Sequence, residues 1–159
     1  FSTKIKWPND VLFQNRKLAG ILCKTHLIPK PEALFIGIGM NGNFSSDGLG
    51  QKLHVPAISL IEIIQTQSDL NKICETLARN IVTNLDLFEK EQMNPFKVAI
   101  EKRLAWIEEK ITFQDIRSQK QSGILKGIDH HGKLIVEQNN KRFHIMSGEI
   151  TKLNPSQEA

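Results

Sequence analysis

Lys6-Trp7-Pro8-Asn9-Asp10, followed by Arg16-Lys17-Leu18-Ala19-Gly20-Ile21-Leu22, is the stretch on which the reading of this chain turns. Pro8 fixes φ, and Asn9 and Asp10 can bond back to their own backbone, so residues 8–10 read as a turn. Val11-Leu12-Phe13 and Lys17 to Cys23 are apolar-rich runs around the polar break Gln14-Asn15-Arg16. That pattern predicts a hairpin, with Asn15 tolerating the turn's unusual dihedrals. A lysine at the mouth of the second strand, Lys17, can neutralise a carboxylate or phosphate as a point charge. Gly20 lies close by along the strand and has no Cβ, so a flat ligand can approach the backbone there. The same letters also describe a hairpin with a solvated lysine and a glycine bulge, and pattern alone leaves both readings standing.

Working outward, Pro29 and Pro31 mark residues 25–32 as a loop. Leu34 to Met40 is a continuous apolar run, expected of a strand buried on both faces. Gly37 and Gly39 at its end again permit close backbone contact, and Asn41 just beyond could bond a phosphate or a metal's water. The run lacks the third glycine and following helix of a dinucleotide site, and a strand under close helix packing is the alternative. Residues 41–56 are glycine-rich and aperiodic, and are expected to form a mobile loop. Ser59 to Gln65 fits a short helix or turn. From Ser68 the period turns helical, with Leu70, Ile73, Leu77, Ile81, Leu85 and Phe88 forming one apolar stripe. Ser68 is the expected N-cap, assisted by Asp69. A second helix is expected from Asn94 as cap, with Pro95 at its first position. Five short runs follow, at 111–116, 121–127, 133–137, 142–146 and 149–153, separated by turn residues, which predicts a small barrel.

Composition narrows the functional classes. The chain has 159 residues, 40% hydrophobic and 24% charged, enough apolar content for one domain, or for one plus a small satellite, and too much for disorder. The longest run without a polar side chain is Ala33 to Met40, far below the ~20 residues of a bilayer-crossing helix, so no membrane association is expected. Two cysteines, Cys23 and Cys74, do not make a disulfide framework, and no charged-then-apolar leader is read at the opening, so the cytoplasm is the expected location. An excess of 21 basic over 17 acidic residues is slight support for a nucleic-acid partner. The five histidines are scattered, neither cysteine sits in a CxxC, and no Gly-x-Ser-x-Gly elbow occurs, so no metal ligand set is assigned.

Lys-Trp-Pro-Asn-Asp at 6–10, Arg-Lys-Leu-Ala-Gly-Ile-Leu at 16–22 and Gly-Ile-Gly-Met-Asn-Gly-Asn at 37–43 together resemble the biotin–protein ligase (biotin–[acetyl-CoA-carboxylase] ligase) family. Gly127-Ile128-Asp129, Gly132-Lys133-Leu134 and Ser147-Gly148-Glu149-Ile150 resemble that family's C-terminal barrel. The resemblance implies an α+β fold. Its first part is a partial, class II synthetase-like mixed sheet with helices, at 1–106, belonging to the catalytic domain. Its second is a small SH3-like β-barrel at 107–159.

The implied reaction joins biotin to MgATP, giving biotinyl-5′-AMP, and then passes biotin to a lysine of a biotin carboxyl carrier protein. Two anions must be brought together, so a cation between them is needed. By resemblance Lys17 takes that catalytic role, touching both biotin and ATP. Gly20, Gly37, Ile38 and Gly39 line the biotin slot, and Asn9 and Asn41 serve the ATP–Mg²⁺ side. Asp10 is a turn former or a second-step group, and Lys6 and Trp7 set the loop. The segment at 43–56 matches one that closes over nucleotide in relatives.

The family's Gly-Arg-Gly-Arg-type loop and its occasional DNA-binding domain are not found in this sequence, so an N-terminally incomplete chain with little turnover alone is expected. Its missing half or a homodimer partner would then be a further partner. A non-catalytic binding or oligomerisation module derived from the same fold, pairing through an exposed sheet edge, is the rival reading. A nucleic-acid binder built on the basic barrel is a weaker one.

Overall fold

A computed structural model describes residues 1–27, 31–47, 56–114 and 120–152. Contacts divide the chain into two units, one of Phe1–Lys4 with Asn9–Leu77 and one of Ile5–Pro8 with Ala78–Ala159. The secondary structure is α+β; β2 to β4 and β5 to β9 are joined by antiparallel ladders, and two isolated bridges are parallel. A first short strand, β1, covers Lys4–Lys6.

In the first unit β2 (Asp10–Phe13) and β3 (Arg16–Leu27) make the expected hairpin. Its two turn residues, Gln14 and Asn15, have φ of 48° and 61°. Positive φ at both centres is the geometry whose twist matches the flanking strands, and Asn is among the residues that adopt it most readily. β4 (Pro31–Met40) pairs antiparallel with β3 from Ala19 to Leu27. Both strands therefore run into the segment expected to be a loop, because ladder pairing continues past the apolar letters, and Pro31 is tolerated at the first position of its strand.

β4 also departs from its expected burial. Leu34 is 49% and Phe35 62% exposed, so nothing among the described residues covers them. An apolar run states which surface can be buried, not what will bury it. The core of this unit is small: Leu18, Ile58 and Leu60, with Phe13, Met40 and Ile73 packed around them. The nucleotide-closing segment expected over 43–56 lies mostly outside the described residues.

α1 (Leu60–Ile64) is the short helix anticipated between Ser59 and Gln65. α2 (Leu70–Glu91) carries the predicted stripe, yet none of its residues is buried. Its cap is Asp69 rather than Ser68, for Asp69 Oδ1 accepts from the N–H groups of Asn71 (3.0 Å) and Lys72 (3.1 Å). Ser68 is engaged through its backbone instead, its N–H and C=O meeting the Asn43 side chain at 2.9 and 2.7 Å. α3 spans Asn94–Arg103 and begins one residue earlier than expected, with Met93 as cap.

The second unit holds β5 (Lys110–Gln114), β6 (Lys120–Ile128), β7 (Leu134–Gln138), β8 (Lys141–Ile145) and β9 (Ile150–Lys152) in the order β8-β7-β6-β5-β9. Ile111, Leu125, Leu134, Val136 and Ile150 are wholly inaccessible and form its centre. Trp7 joins this core, its indole N–H donating to Gly132 O at 3.1 Å. Lys6, also buried, reaches Glu149 at 3.4 Å. The opening motif is thus shared, with Lys6 and Trp7 belonging to the second unit and Asn9 and Asp10 to the first.

Candidate functional site

The site begins with a miscount in a ladder. Asp10 stands opposite Gly20 and Val11 opposite Ala19, but Leu12 stands opposite Lys17, so Leu18 is an extra residue. In an unbroken strand, positions 17 and 20 would face opposite sides. The bulge returns Lys17 and Gly20 to the face they share with Asp10. There the Lys17 Nζ lies 2.5 Å from Asp10 Oδ1. A Cβ on Gly20 would come within 3.1 Å of that Nζ and 3.2 Å of that Oδ1, a tight fit that the ion pair would have to yield to by a few tenths of an ångström.

Gly20 is paired with Gly39, and Leu22 with Gly37. Three glycines of one sheet face therefore floor an open groove of about 490 Å³. Lys17, Asn9 and Leu22 line it together with Ile21 and Ile38. A Cβ on Gly39 would meet nothing within 4 Å, and one on Gly37 only Leu22 O at 3.8 Å. The chain's own packing does not call for glycine at 37 or 39, unlike 20, so the vacated room suits a ligand lying flat on the backbone. One ammonium with three donors, one of them on Asp10, retains two for anions entering the groove.

The backbone of Lys17 is held from both sides. Its N–H donates to Pro56 O (2.7 Å), and its C=O accepts from Ile58 N–H (3.0 Å) and Asn41 Nδ2 (3.0 Å). The Asn41 amide also donates to Ile58 O at 3.0 Å. Asn41 thus ties the end of β4 to β3 and to residue 58, and is not among the residues lining the groove. Asn9 is at the groove, anchored by Nδ2 to Ile21 O (2.8 Å) and by accepting the Ile21 N–H on its own carbonyl (2.9 Å).

A neighbouring polar cluster was not read from the sequence. Glu62, in the first turn of α1, accepts from the Ser59 hydroxyl (2.7 Å), the Ser59 N–H (2.8 Å) and the Ser46 hydroxyl (2.9 Å). These hydroxyl donors hold its carboxyl down to about 2, against the smaller opposing effect of burial. Arg16 joins the cluster, with Nε on Ala57 O (2.9 Å) and Nη2 on the Ser46 Oγ (3.0 Å). The available signal was Ser59-x-x-Glu62, the spacing by which a glutamate reaches back to a helix's first residue.

In the second unit Asp129 is buried. Burial alone would raise its carboxyl. The His144 Nδ1 at 2.8 Å and the N–H groups of His131 (2.8 Å) and Lys133 (2.9 Å) outweigh it and hold the group at about 2. Gly148, in the turn before β9, has φ of 138°, and a Cβ there would collide with Gln114 O at 2.2 Å. That explains the glycine of the Ser147-Gly148-Glu149 word.

Comparison with known proteins agrees with these features. Residues 1–41 match the model of the biotin/lipoate A/B protein ligase family, and residues 107–153 that of the biotin protein ligase C terminal domain. The chain is 32% identical over 149 residues to the bifunctional ligase/repressor BirA of Escherichia coli, covering 93% of this chain and 46% of that protein. It is 26% identical over 152 residues to the biotin–[acetyl-CoA-carboxylase] ligase of Mycobacterium tuberculosis, of which it covers 53%. The chain thus spans about half the length of these curated relatives. Among solved structures, the biotin protein ligase of Aquifex aeolicus in complex with biotin and ATP superposes with a TM-score of 0.80 at 26% identity, over 95% of this chain and 62% of that one. Its apo form gives the same score over 65% of its length. Two matched models at the two ends and a superposition covering nearly all of the chain agree in likening it to part of a biotin protein ligase.

Proposed function

We propose that this chain carries part of the machinery that activates biotin with ATP to biotinyl-5′-AMP and transfers it to a lysine of a biotin carboxyl carrier protein. The observation that carries the reading is the Lys17 ammonium, poised over Gly20 at the head of a groove floored by Gly20, Gly37 and Gly39. Support comes from the names of the relatives and from the biotin and ATP bound by the Aquifex aeolicus structure.

In this reading biotin's ring lies on the glycine floor, against Ile38. Lys17 bonds the biotin carboxylate and the α-phosphate of MgATP with its two remaining donors. It offsets their repulsion as the new acyl–phosphate bond forms and pyrophosphate leaves. Asp10 keeps that ammonium aimed, and stands near enough to take part when the acceptor lysine attacks in the second step. Asn9 presents an amide at the ATP side. Asn41 acts there through the backbone it ties.

In this reading Mg²⁺ arrives on the triphosphate, which this cation prefers to an all-protein cage. The division 1–106 and 107–159, into catalytic part and SH3-like barrel, is supported by the C-terminal family match beginning at 107. The cytoplasm is the proposed setting. Among the described residues no helix is long and apolar enough to cross a membrane.

Calorimetric titration with biotinyl-5′-adenylate tests the proposal. Saturable binding that Lys17→Ala weakens at least about tenfold is expected, since charge-assisted hydrogen bonds contribute about 1.5–3 kcal/mol each. Equal affinity in the two proteins would overturn it. A second reading, a non-catalytic or self-associating module, is favoured by one observation: β4 ends its sheet and exposes Leu34 and Phe35. Light scattering across a concentration series, with and without the adenylate, separates the two.

A further inference from the structure

We propose that Glu62 is a positioning residue for Lys17, acting through Arg16 and Ser46 on the Ala57 segment that brackets the Lys17 peptide. The inference deepens the biotin-activating reading and rests on it for the meaning of the lysine.

Lys17 and Ala57 form an isolated parallel bridge, with Pro56 O and Ile58 N–H gripping the Lys17 peptide from either side. An isolated bridge has no further rungs to keep it in register. Ala57 is steadied by side chains instead. Its carbonyl accepts the Arg16 Nε at 2.9 Å and lies 3.1 Å from the Ser46 Oγ. The other arm of the same guanidinium meets Ser46 Oγ at 3.0 Å and stands 3.6 Å from Glu62 Oε1. Glu62 is in turn fixed by Ser59 at the foot of α1.

The path is closed and short: carboxylate, guanidinium, carbonyl, bridge, lysine. Arg16 is also the residue immediately before Lys17, so its side chain and the bridge hold the same pair of residues from two directions. Ser46 and Ser59 are buried, while the Arg16 and Glu62 side chains are 38% and 24% exposed, so the path is partly sheltered from water. Only a planar fork can serve two acceptors at fixed angles, which is the reason for arginine rather than lysine at 16. Lys17 has four carbons between this anchored backbone and the Nζ at Asp10. A displacement of about 1 Å at the anchor is enough to misplace a group that must touch two reacting anions.

The test uses the full chain with Glu62→Ala and Arg16→Lys. Ile73→Ala serves as the control, since Ile73 packs on the Leu18-Ile58-Leu60 cluster and is not part of the polar path. Two quantities are read: the Lys17 Cε–Hε NMR correlation, assigned by its loss in Lys17→Arg, and calorimetric affinity for a sulfamoyl analogue of biotinyl-adenylate. Glu62→Ala and Arg16→Lys are expected to move the Lys17 signal and to weaken binding about tenfold or more. Ile73→Ala should lower Tm and leave both quantities in place.

The proposal is overturned if the signal and affinity hold in the two path variants, or if Ile73→Ala moves them equally. Should Glu62→Ala fail to fold, Arg16→Lys decides. Should the unaltered chain bind no adenylate, the biotin-activating reading fails while the NMR comparison still decides the positioning role.

Discussion

Replacing Gly39 with alanine separates what the fold needs from what the ligand needs. The added Cβ meets no atom within 4 Å, and Gly39 sits in β4 without a positive φ, so no strain opposes the change. Alanine restricts the unfolded chain more than glycine does, and stability should rise by about 0.5–1 kcal/mol. The same methyl projects from the sheet face that carries Gly20 and Lys17, into a groove of about 490 Å³. A ligand lying against that floor must lift or tilt. Forcing one extra methyl into a fitted contact costs about 1–3 kcal/mol, or roughly 5- to 150-fold in affinity. Urea unfolding and calorimetry with biotinyl-5′-adenylate give both numbers on one preparation. A stability gain together with an affinity loss is the expected signature. Unchanged affinity would remove the ligand from the glycine floor, and a loss of stability greater than about 1 kcal/mol would show that the fold itself requires Gly39. Gly20→Ala serves as the contrast, because its Cβ would lie 3.1 Å from Lys17 Nζ and 3.2 Å from Asp10 Oδ1, so the ion pair must give by a few tenths of an ångström.

Gly148→Ala should destabilise the second unit by more than about 2 kcal/mol, since its Cβ would collide with the Gln114 carbonyl and φ is 138°; thermal unfolding that matches the unaltered chain would contradict this. Glu62 and Asp129 both titrate near 2 in the folded chain, below their ordinary 4.5 and 3.8. The folded state therefore binds these protons less readily, so the stability they add is complete above the ordinary values and is lost as pH falls toward 2. Glu62→Gln should accordingly cost about 2 kcal/mol at neutral pH and flatten the acid limb of a urea-unfolding pH series; an acid limb as steep as the parent's would refute the assignment. Asp129→Asn should likewise lower stability at neutral pH, with loss of the NMR signature of a bonded His144 Nδ1 as the local check.

Much of the fold was legible because local rules decided it. Gln14-Asn15 specified a two-residue turn, and the five short apolar runs after residue 110 became β5 to β9. What could not be read was set by partners. The stripe on α2 has no buried residue, and β4, expected to be buried on both faces, leaves Phe35 62% exposed, because periodicity names a face without naming its cover. Asp69 displaced Ser68 as cap because Asn43, far upstream, holds the Ser68 backbone. At the candidate site, the types and order of Lys17, Gly20, Gly37 and Gly39 were plain, but their common face depends on the bulge at Leu18, and no letter announces it. The Arg16–Ser46–Glu62 cluster joins residues up to 46 positions apart, so only its local half, Ser59 with Glu62, left a mark.

The bulge makes register as binding a constraint as identity in the word around Lys17. Side chains on a strand alternate like odd and even integers, and Leu18 is the single added unit that must be left out of the count. Straightening the ladder while keeping every letter would hand the ammonium to the opposite side of the sheet from Gly20. A chain with an intact vocabulary and a regular rung at Leu18 would present its glycines without their cation.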